Sequence, residues 1–304
     1  MKEILPGHVY IVGSGPGDPE LLTVRAHALL EAAGVILHDD LVAAEILALA
    51  NPQATVINVG KRCGAKKITQ EEINALMIET ARLGFAVVRL KSGDPAIFGR
   101  LAEELDALDV AQIPYEIVPG ITAALGAAAS LGVSLTDRRT SSRVVVVTAH
   151  QSLSTCGAAN HAAGPAADWK GLAREDSTLV IYMPGHDFAA LRENLLAAGL
   201  AADTPAAIVS RASTPQQREI ATTLGELGTE SIASQLLEPP TILLIGRTLA
   251  RAQRNSNRTD LAAEAVELVE AATAPEHEFI APGEITSQVS NSTLQLKGAS
   301  RHDR

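Results

Sequence analysis

The residues of this sequence that are best suited to chemistry lie in two Gly-Asp-Pro turns, at 17–19 and 93–95, each of which follows an apolar run. Open α/β sheets bind ligands at the carboxyl ends of their strands, which is where both turns would lie. Asp94 could accept hydrogen bonds from a ribose or an amine, or it could simply cap a helix that begins with proline. A second such turn, together with a third turn at 119–122, favours the ligand site.

The first turn nearly matches the glycine pattern G-x-G-x-x-G of dinucleotide-binding loops. Gly13 and Gly15 fit the first two glycines, but the third position is Asp18. A carboxylate there would repel a pyrophosphate, although it is a good helix cap. The turn therefore predicts a ligand other than NAD and without a phosphate, and a dehydrogenase becomes the least favoured function.

Charged residues follow two further apolar runs. Asp39 ends one run and Lys61 ends the next, so the two could act as a proton acceptor and a proton donor. On spacing alone, a salt bridge or two solvated charges are the better explanation of this pair. Basic clusters at 61–67 and 138–143 could together hold a polycarboxylate, although each alone is typical of a solvated surface.

Composition excludes several classes of protein. The net charge of −10 argues against a general nucleic-acid binder, and the 3% of aromatic residues favours an α/β core over a β-sandwich. Cys63, Cys156, His150 and His186 lack the spacing of a metal site, so we expect no metal. Without an uninterrupted apolar run of ~18 residues or a signal-peptide pattern, we expect no membrane span and a cytoplasmic location.

Apolar strand-like runs alternate with helical patterns, which predicts an α/β fold with mainly parallel or mixed sheets. The punctuation at Pro119-Gly120 predicts an N-terminal domain at 1–119 and a second α/β domain at 120–250. Residues 251–304 are predicted to form an extension in which Leu261–Ala272 could be one helix and the polar part from Pro275 onward is expected to be disordered. Among the predicted helices are 20–33 and 96–108.

A set of ordered motifs resembles the tetrapyrrole methylase family, and within it the branch that methylates uroporphyrinogen III. The motifs cover roughly residues 8–247 in the order in which the family has them. They are V-G-x-G-P-G-D-P-x-L-L-T at 12–23, H-D-D-L-V at 38–42, G-K-R at 60–62, Q-E-E-I-N at 70–74, R-L-K-S-G-D-P-A-I-F-G-R at 89–100, V-P-G-I-T-A-A at 118–124, L-T-D-R at 135–138 and Y-M at 182–183. Any one motif is weak, but the ordered set is specific.

This resemblance implies two α/β domains with a cleft between them, a homodimer, and S-adenosylmethionine as the methyl donor. A donor without a phosphate also agrees with Asp18 in the first turn. The cofactor-binding residues that the resemblance implies are Pro16, Ser92, Gly93, Asp94, Ile97, Thr122, Ala123, Met183 and Ala212.

The implied reaction methylates uroporphyrinogen III at C-2 and then C-7 to give precorrin-2, on the way to sirohaem or cobalamin. The resemblance makes Asp39 the proton acceptor and Lys61 the donor. Arg62, Arg100 and Arg138 are the candidates for binding the substrate carboxylates. A precorrin methylase acting at another ring position and a non-catalytic tetrapyrrole-binding homologue are the alternatives, while the acidic charge disfavours an RNA methylase.

Four residues depart from the family pattern near the predicted site. They are His38 for a usual Tyr, Asp40 for a usual Arg, Ser92 for a usual Gly and Asp137 for a usual His. If the backbone at Ser92 needs a positive φ, a serine there would cost roughly 1 kcal/mol. These departures would alter activity or specificity without removing Asp39, Lys61, Gly93 or Asp94.

Overall fold

The computed structural model of the chain describes residues 3–60, 68–149, 168–185, 187–235 and 237–255. All of these residues belong to one compact unit. The fold is α/β, which confirms the predicted class, and contains two five-stranded sheets. The strands of one sheet all precede residue 120 and those of the other all follow it. The division into domains at 1–119 and 120–250 stays a prediction.

The first sheet is entirely parallel, with the strands β1 Val9–Gly13, β2 Val35–His38, β3 Thr55–Asn58, β4 Val87–Lys91 and β5 Tyr115–Val118. Their order across the sheet is β3-β2-β4-β1-β5. The three inner strands are buried along their whole length, because helices cover both faces. Alternate residues of β1 therefore enter two different cores, with Tyr10 and Val12 on one face and Val9 and Ile11 on the other.

Helices connect these strands and fix the positions of their carboxyl ends. They are α1 Val24–Ala32, α2 Ala44–Leu47, α3 Gln70–Arg82 and α4 Leu101–Ala111. Helix α3 begins at a capping box in which Thr69 and Glu72 satisfy each other's backbone N–H groups. Met77 of α3 and Leu108 of α4 are fully buried against the sheet.

The second sheet is mixed, with the strands β6 Arg143–Thr148, β7 Ser177–Tyr182, β8 Pro205–Ser210, β9 Arg218–Thr223 and β10 Thr241–Ile245. Its order is β6-β7-β10-β8-β9, in which only β6 and β7 are parallel to each other. The helices of this half are α5 Ala123–Ser130, α6 Trp169–Leu172, α7 Phe188–Ala197 and α8 Glu230–Ala233.

Two predicted helix starts are wrong, each for a local reason. The helix predicted over 96–108 begins only at Leu101, because Phe98 and Arg100 have φ values of 52° and 55° that a right-handed helix excludes. The helix predicted over 20–33 is a 3-10 turn at Pro19–Leu21 followed by α1, which begins after the cap residue Thr23.

The chain continues as a helix through residues 250–255, where Ala252 is buried in the second core. This core therefore includes a residue beyond 250, and the domain limit at 250 stays a prediction. The helix predicted at Leu261–Ala272 lies outside the described residues. Within the described parts of the chain, no helix has the length and apolar character needed to cross a membrane.

Candidate functional site

Three loops at the carboxyl ends of β1, β4 and β5 meet backbone to backbone at glycines. A Cβ on Gly120 would lie 2.2 Å from the carbonyl oxygen of Gly93, and a Cβ on Gly13 would lie 2.6 Å from the same atom. Gly93 and Gly15 also exchange backbone hydrogen bonds of 2.8 and 3.1 Å. Only residues without a side chain permit this approach, so these glycines bring the two Gly-Asp-Pro turns and the 119–122 turn to one place.

The two Gly-Asp-Pro turns have different functions in the fold. Asp18 and Asp94 both accept a backbone N–H two residues on, each at 2.8 Å, as a capping residue does. Asp94 also accepts the N–H of Gly120 through its second carboxylate oxygen, at 3.0 Å. Asp94 therefore fastens the β4 loop to the β5 loop, whereas Asp18 caps only its own turn.

These loops and the second sheet enclose a cavity of about 190 Å³, which we call the first cavity. Its walls include every residue that the resemblance assigned to cofactor binding. These are Pro16, Ser92, Gly93, Asp94, Ile97, Thr122, Ala123, Met183 and Ala212. Five separate stretches of chain supply them, so the fold brings together positions that the sequence spreads over almost 200 residues.

Tyr182 also lines the first cavity and was missed as a site residue. Its hydroxyl bonds Thr122 Oγ1 and accepts the N–H of Ala124 at 3.0 Å, which joins the end of β7 to the start of α5. The Phe98 ring packs on Tyr182 with centroids 5.2 Å apart. Burial raises the pKa of the Tyr182 phenol, which therefore stays neutral. The sequence signal that could have identified Tyr182 is the Tyr-Met motif at 182–183, from which the resemblance assigned only Met183 to cofactor binding.

Left-handed backbone is concentrated around the cavities. Phe98 and Met183, with φ values of 52° and 48°, line the first cavity, while Arg211 and Ser213 flank its wall residue Ala212. Such conformations cost non-glycine residues on the order of 1 kcal/mol each and persist where the surrounding structure requires them. Ser92 has no positive φ, so the strain expected from serine at this position does not arise.

A second cavity, of about 300 Å³, adjoins the first and shares four residues with it, Leu41, Ser92, Ile97 and Phe98. Charged residues line it, among them Asp39, Asp40 and Arg100. Arg89 and Lys91 of β4 also reach its wall, and Arg89 Nη2 lies 2.5 Å from Asp39 Oδ1.

The structure describes only some of the remaining predicted residues. Lys61 and Arg62 lie outside the described residues. Arg138 lines neither cavity, and its neighbours Arg139 and Arg143 pair with Asp137 and Asp176. The bond from Arg139 lowers the pKa of Asp137 to about 2. Of the two candidate substrate residues that the structure describes, Arg100 lies on a cavity wall and Arg138 does not.

The other departures have structural partners. His38 is buried at the end of β2, and its Nδ1 lies 3.0 Å from the Asp39 carbonyl oxygen. Asp40 lines the second cavity and accepts a hydrogen bond from Asn58 Nδ2 at 3.3 Å. Within the described ranges, no cluster of three or more His, Cys, Asp or Glu residues is placed to hold a metal ion.

Fold and site together define an α/β protein with a small-molecule cavity at the strand ends of two sheets. A sequence model of the tetrapyrrole (corrin/porphyrin) methylases matches residues 8–228. The chain therefore belongs to the tetrapyrrole methylase family.

Individual curated proteins are also similar to this chain over most of its length. The uroporphyrinogen-III C-methyltransferase of Paracoccus denitrificans is 41% identical over 247 residues, which cover 81% of this chain and 83% of that protein. Siroheme synthase 2 of Aeromonas hydrophila is 42% identical over 248 residues, 82% of this chain but 50% of that protein. The chain thus spans about half the length of several curated relatives that it matches.

Solved structures show the same fold. The uroporphyrin-III C-methyltransferase of Thermus thermophilus has a TM-score of 0.66 and 36% identity, with 80% of this chain and 99% of that chain covered. That enzyme has also been solved in complex with S-adenyl homocysteine. A cobalt precorrin-4 methyltransferase has a TM-score of 0.70 and 29% identity, over 80% of this chain and 96% of that one.

Proposed function

We propose that this chain is an S-adenosylmethionine-dependent C-methyltransferase that methylates uroporphyrinogen III at C-2 and then C-7 to give precorrin-2. One observation carries the proposal. Nine residues chosen by resemblance from distant parts of the sequence line a single cavity, and that cavity adjoins a second one that contains Asp39. The names of the Paracoccus denitrificans and Thermus thermophilus relatives support the same substrate.

The first cavity suits the methyl donor in its chemistry. S-adenosylmethionine supplies, when bound, an electrophilic methyl group on a sulfonium sulfur. The apolar walls that include Ile97 and Met183 fit the adenosine and the methionine chain, and the hydroxyl of Thr122 offers a polar partner. Asp94 places a negative charge beside a cationic ligand, which agrees with the predicted preference of these turns for a ligand without phosphate.

The second cavity suits the acceptor. Methyl transfer forms a bond from a pyrrole ring carbon to the methyl carbon and breaks the sulfur–methyl bond, which leaves a neutral thioether. The ring system then carries a positive charge and must lose a proton. Asp39, which lines this cavity with 30% of its side chain exposed, is the proposed proton acceptor. Lys61 remains the proposed donor on the resemblance alone.

Arginines would position the substrate, which carries eight carboxylates. Arg100 lies on the wall of the second cavity, and its Nε donates to Glu103 at 2.7 Å. The bond to Glu103 raises the pKa of Arg100, which therefore remains a permanent cation. Arg62 and Arg138 stay predicted partners of the outer carboxylates.

An anaerobic methylation assay tests the proposal. Purified protein is incubated with uroporphyrinogen III and methyl-labelled S-adenosylmethionine, and the products are resolved by mass spectrometry. We expect monomethylated and then dimethylated product, and at least a 100-fold lower rate for Asp39→Asn, because general acid–base catalysis typically contributes that much. Donor binding without any methylated tetrapyrrole would refute the proposed reaction.

A precorrin methyltransferase acting at another ring position is the second candidate. The TM-score of 0.70 to cobalt precorrin-4 methyltransferase, compared with 0.66 to the Thermus thermophilus enzyme, favours it. A panel of precorrins in the same assay separates the two candidates. A non-catalytic tetrapyrrole-binding homologue is distinguished by calorimetry, in which it would bind no donor.

Assembly and location stay predictions as well. The expected homodimer is measured by light scattering or analytical ultracentrifugation at micromolar concentration. The expected cytoplasmic location is measured by fractionation of cells that produce the full chain.

A further inference from the structure

Four charged side chains form a network beneath the second cavity. Arg89 and Lys91 stand two residues apart on β4 and therefore point to the same face of the sheet. Glu104 of α4 bonds both of them, and Asp39 lies at the outer end of the network. Three of the four are almost completely buried, with exposed fractions of 3% for Arg89, 2% for Lys91 and 0% for Glu104.

Glu104 is the centre of this network. Its Oε1 accepts from Arg89 Nε at 2.9 Å and from Lys91 Nζ at 3.0 Å, and its Oε2 accepts from Lys91 at 2.9 Å. Arg89 in turn donates to Asp39 Oδ1 at 2.5 Å. Glu104 lines neither cavity, so any effect it has on a ligand must pass through Arg89 and Lys91.

The charges of the network balance, with two cations and two carboxylates. Buried charges are tolerated when they are paired and hydrogen-bonded, and removal of one partner leaves an uncompensated charge. Burial lowers the pKa of Lys91, and the neighbouring Arg89 lowers it further, whereas Glu104 and Asp39 oppose the shift. A change at Glu104 or Lys91 is therefore felt electrostatically at Asp39.

We propose that Glu104 is a positioning residue for methyl transfer, which holds Arg89 in place and sets the local charge so that Asp39 can take up a proton. This inference rests on the proposed function, in which Asp39 is the acceptor. Arg89 fixes one oxygen of Asp39 while the side chain remains partly open to the cavity. The balancing charge of Glu104 keeps Arg89 and Lys91 from stabilising the ionised carboxylate so strongly that it becomes a poor base.

The test compares two variants that change the charge of the network in opposite senses. Glu104→Gln removes a negative charge, so the acidic limb of the plot of kcat against pH should move to lower pH by about one pH unit. Lys91→Met removes a positive charge and nearly keeps the volume, so the limb should move to higher pH by a similar amount. Among the described residues, the other charged ones on this cavity are Asp40 and Arg100, and both are unchanged in the two variants.

Further readouts separate positioning from general damage. Glu104→Gln should lower kcat about 100-fold, the loss typical of a misplaced catalytic group, while the KM for the tetrapyrrole and the calorimetric Kd for the donor change less than threefold. Asp106→Asn, an exposed carboxylate on the same helix, is the matched control and should resemble wild type. Shifts in the same direction for both network variants, or an unchanged kcat, would overturn the proposal.

A measurement that does not need turnover keeps this inference separate from the proposed reaction. The Asp39 carboxyl signal is assigned in ¹³C NMR spectra by its absence in Asp39→Asn, and is then titrated in wild type and in each network variant. Opposite displacements of the titration support the network even if uroporphyrinogen III is not the substrate. A titration that neither variant moves overturns it, whatever the assay shows. If one variant fails to fold, the direction observed with the other decides.

Discussion

Asp94→Asn tests whether Asp94 fastens the loop after β4 to the loop after β5 by its hydrogen bond to Gly120. In the wild type, one carboxylate oxygen caps the local turn and the other accepts from Gly120 N at 3.0 Å. The amide of asparagine can keep the cap, but its NH₂ group then faces the Gly120 N–H, and two donors meet. A hydrogen bond to a charged group contributes about 1.5–3 kcal/mol, and since this bond is only part-buried we expect a loss near 1.5 kcal/mol.

The same loss should appear in two assays. The free energy of unfolding without ligand, from chemical denaturation, should fall by about 1.5 kcal/mol. The Kd for S-adenosylmethionine, from calorimetry, should rise about tenfold, because both fastened loops line the first cavity and 1.4 kcal/mol corresponds to a factor of ten.

Asp18→Asn is the matched control, since Asp18 occupies the other Gly-Asp-Pro turn and caps it at 2.8 Å, with no second backbone partner among the described residues. Asn caps helices about as well as Asp, so this variant should stay close to wild type in both assays. Indistinguishable results for the two variants would refute the fastening role. Weaker donor binding with unchanged unliganded stability would show that Asp94 contacts the ligand and does not fasten the loops.

Three further predictions concern the walls of the first cavity. Tyr182→Phe removes the hydroxyl that accepts from Ala124 N, so the free energy of unfolding should fall by about 1 kcal/mol. Because the pKa of Tyr182 lies above its usual 10.0, its stabilising contribution is complete below that pH and is lost as pH rises further, and Tyr182→Phe should reduce this alkaline loss. Gly93→Ala has space but a φ of 66°, so it should cost about 1 kcal/mol, whereas Gly120→Ala meets a backbone oxygen at 2.2 Å and should yield little folded protein.

Controls decide these three predictions. Tyr10→Phe loses a comparable hydroxyl bond, from Leu5 N at 2.8 Å, at a residue that lines neither cavity, and should leave donor affinity unchanged. Identical alkaline stability of wild type and Tyr182→Phe would contradict the role given to burial of the phenol. Equal yields and stabilities of the two glycine variants would contradict the close approach of the loops.

Much of the fold depends on near neighbours in the sequence and could be predicted from it. The apolar run at Val35–His38 forms a buried strand, because a short apolar run between turn residues has little alternative to one. The capping role of Asp18 followed in the same way from an Asp directly before a proline. The resemblance also selected nine of the residues that line the first cavity, although their contacts lie far apart in the sequence.

The contacts that could not be predicted from the sequence join residues that come together only when the chain folds. Asp94 reaches Gly120 across 26 positions, Arg89 reaches Asp39 across 50 and Tyr182 reaches Ala124 across 58. Hydrophobic periodicity and motif spacing describe a single helix, strand or loop. They therefore do not say which side chains of two distant elements come within 3 Å of each other. The start of α4 could not be predicted for the same reason. Phe98 and Arg100, which line the cavities, have left-handed backbone conformations, so the helix begins only at Leu101. The sequence by itself determined the family, the strands and the loops with the chemical groups, whereas the tertiary structure alone decided that Asp94 fastens two loops and that a buried glutamate stands behind Asp39.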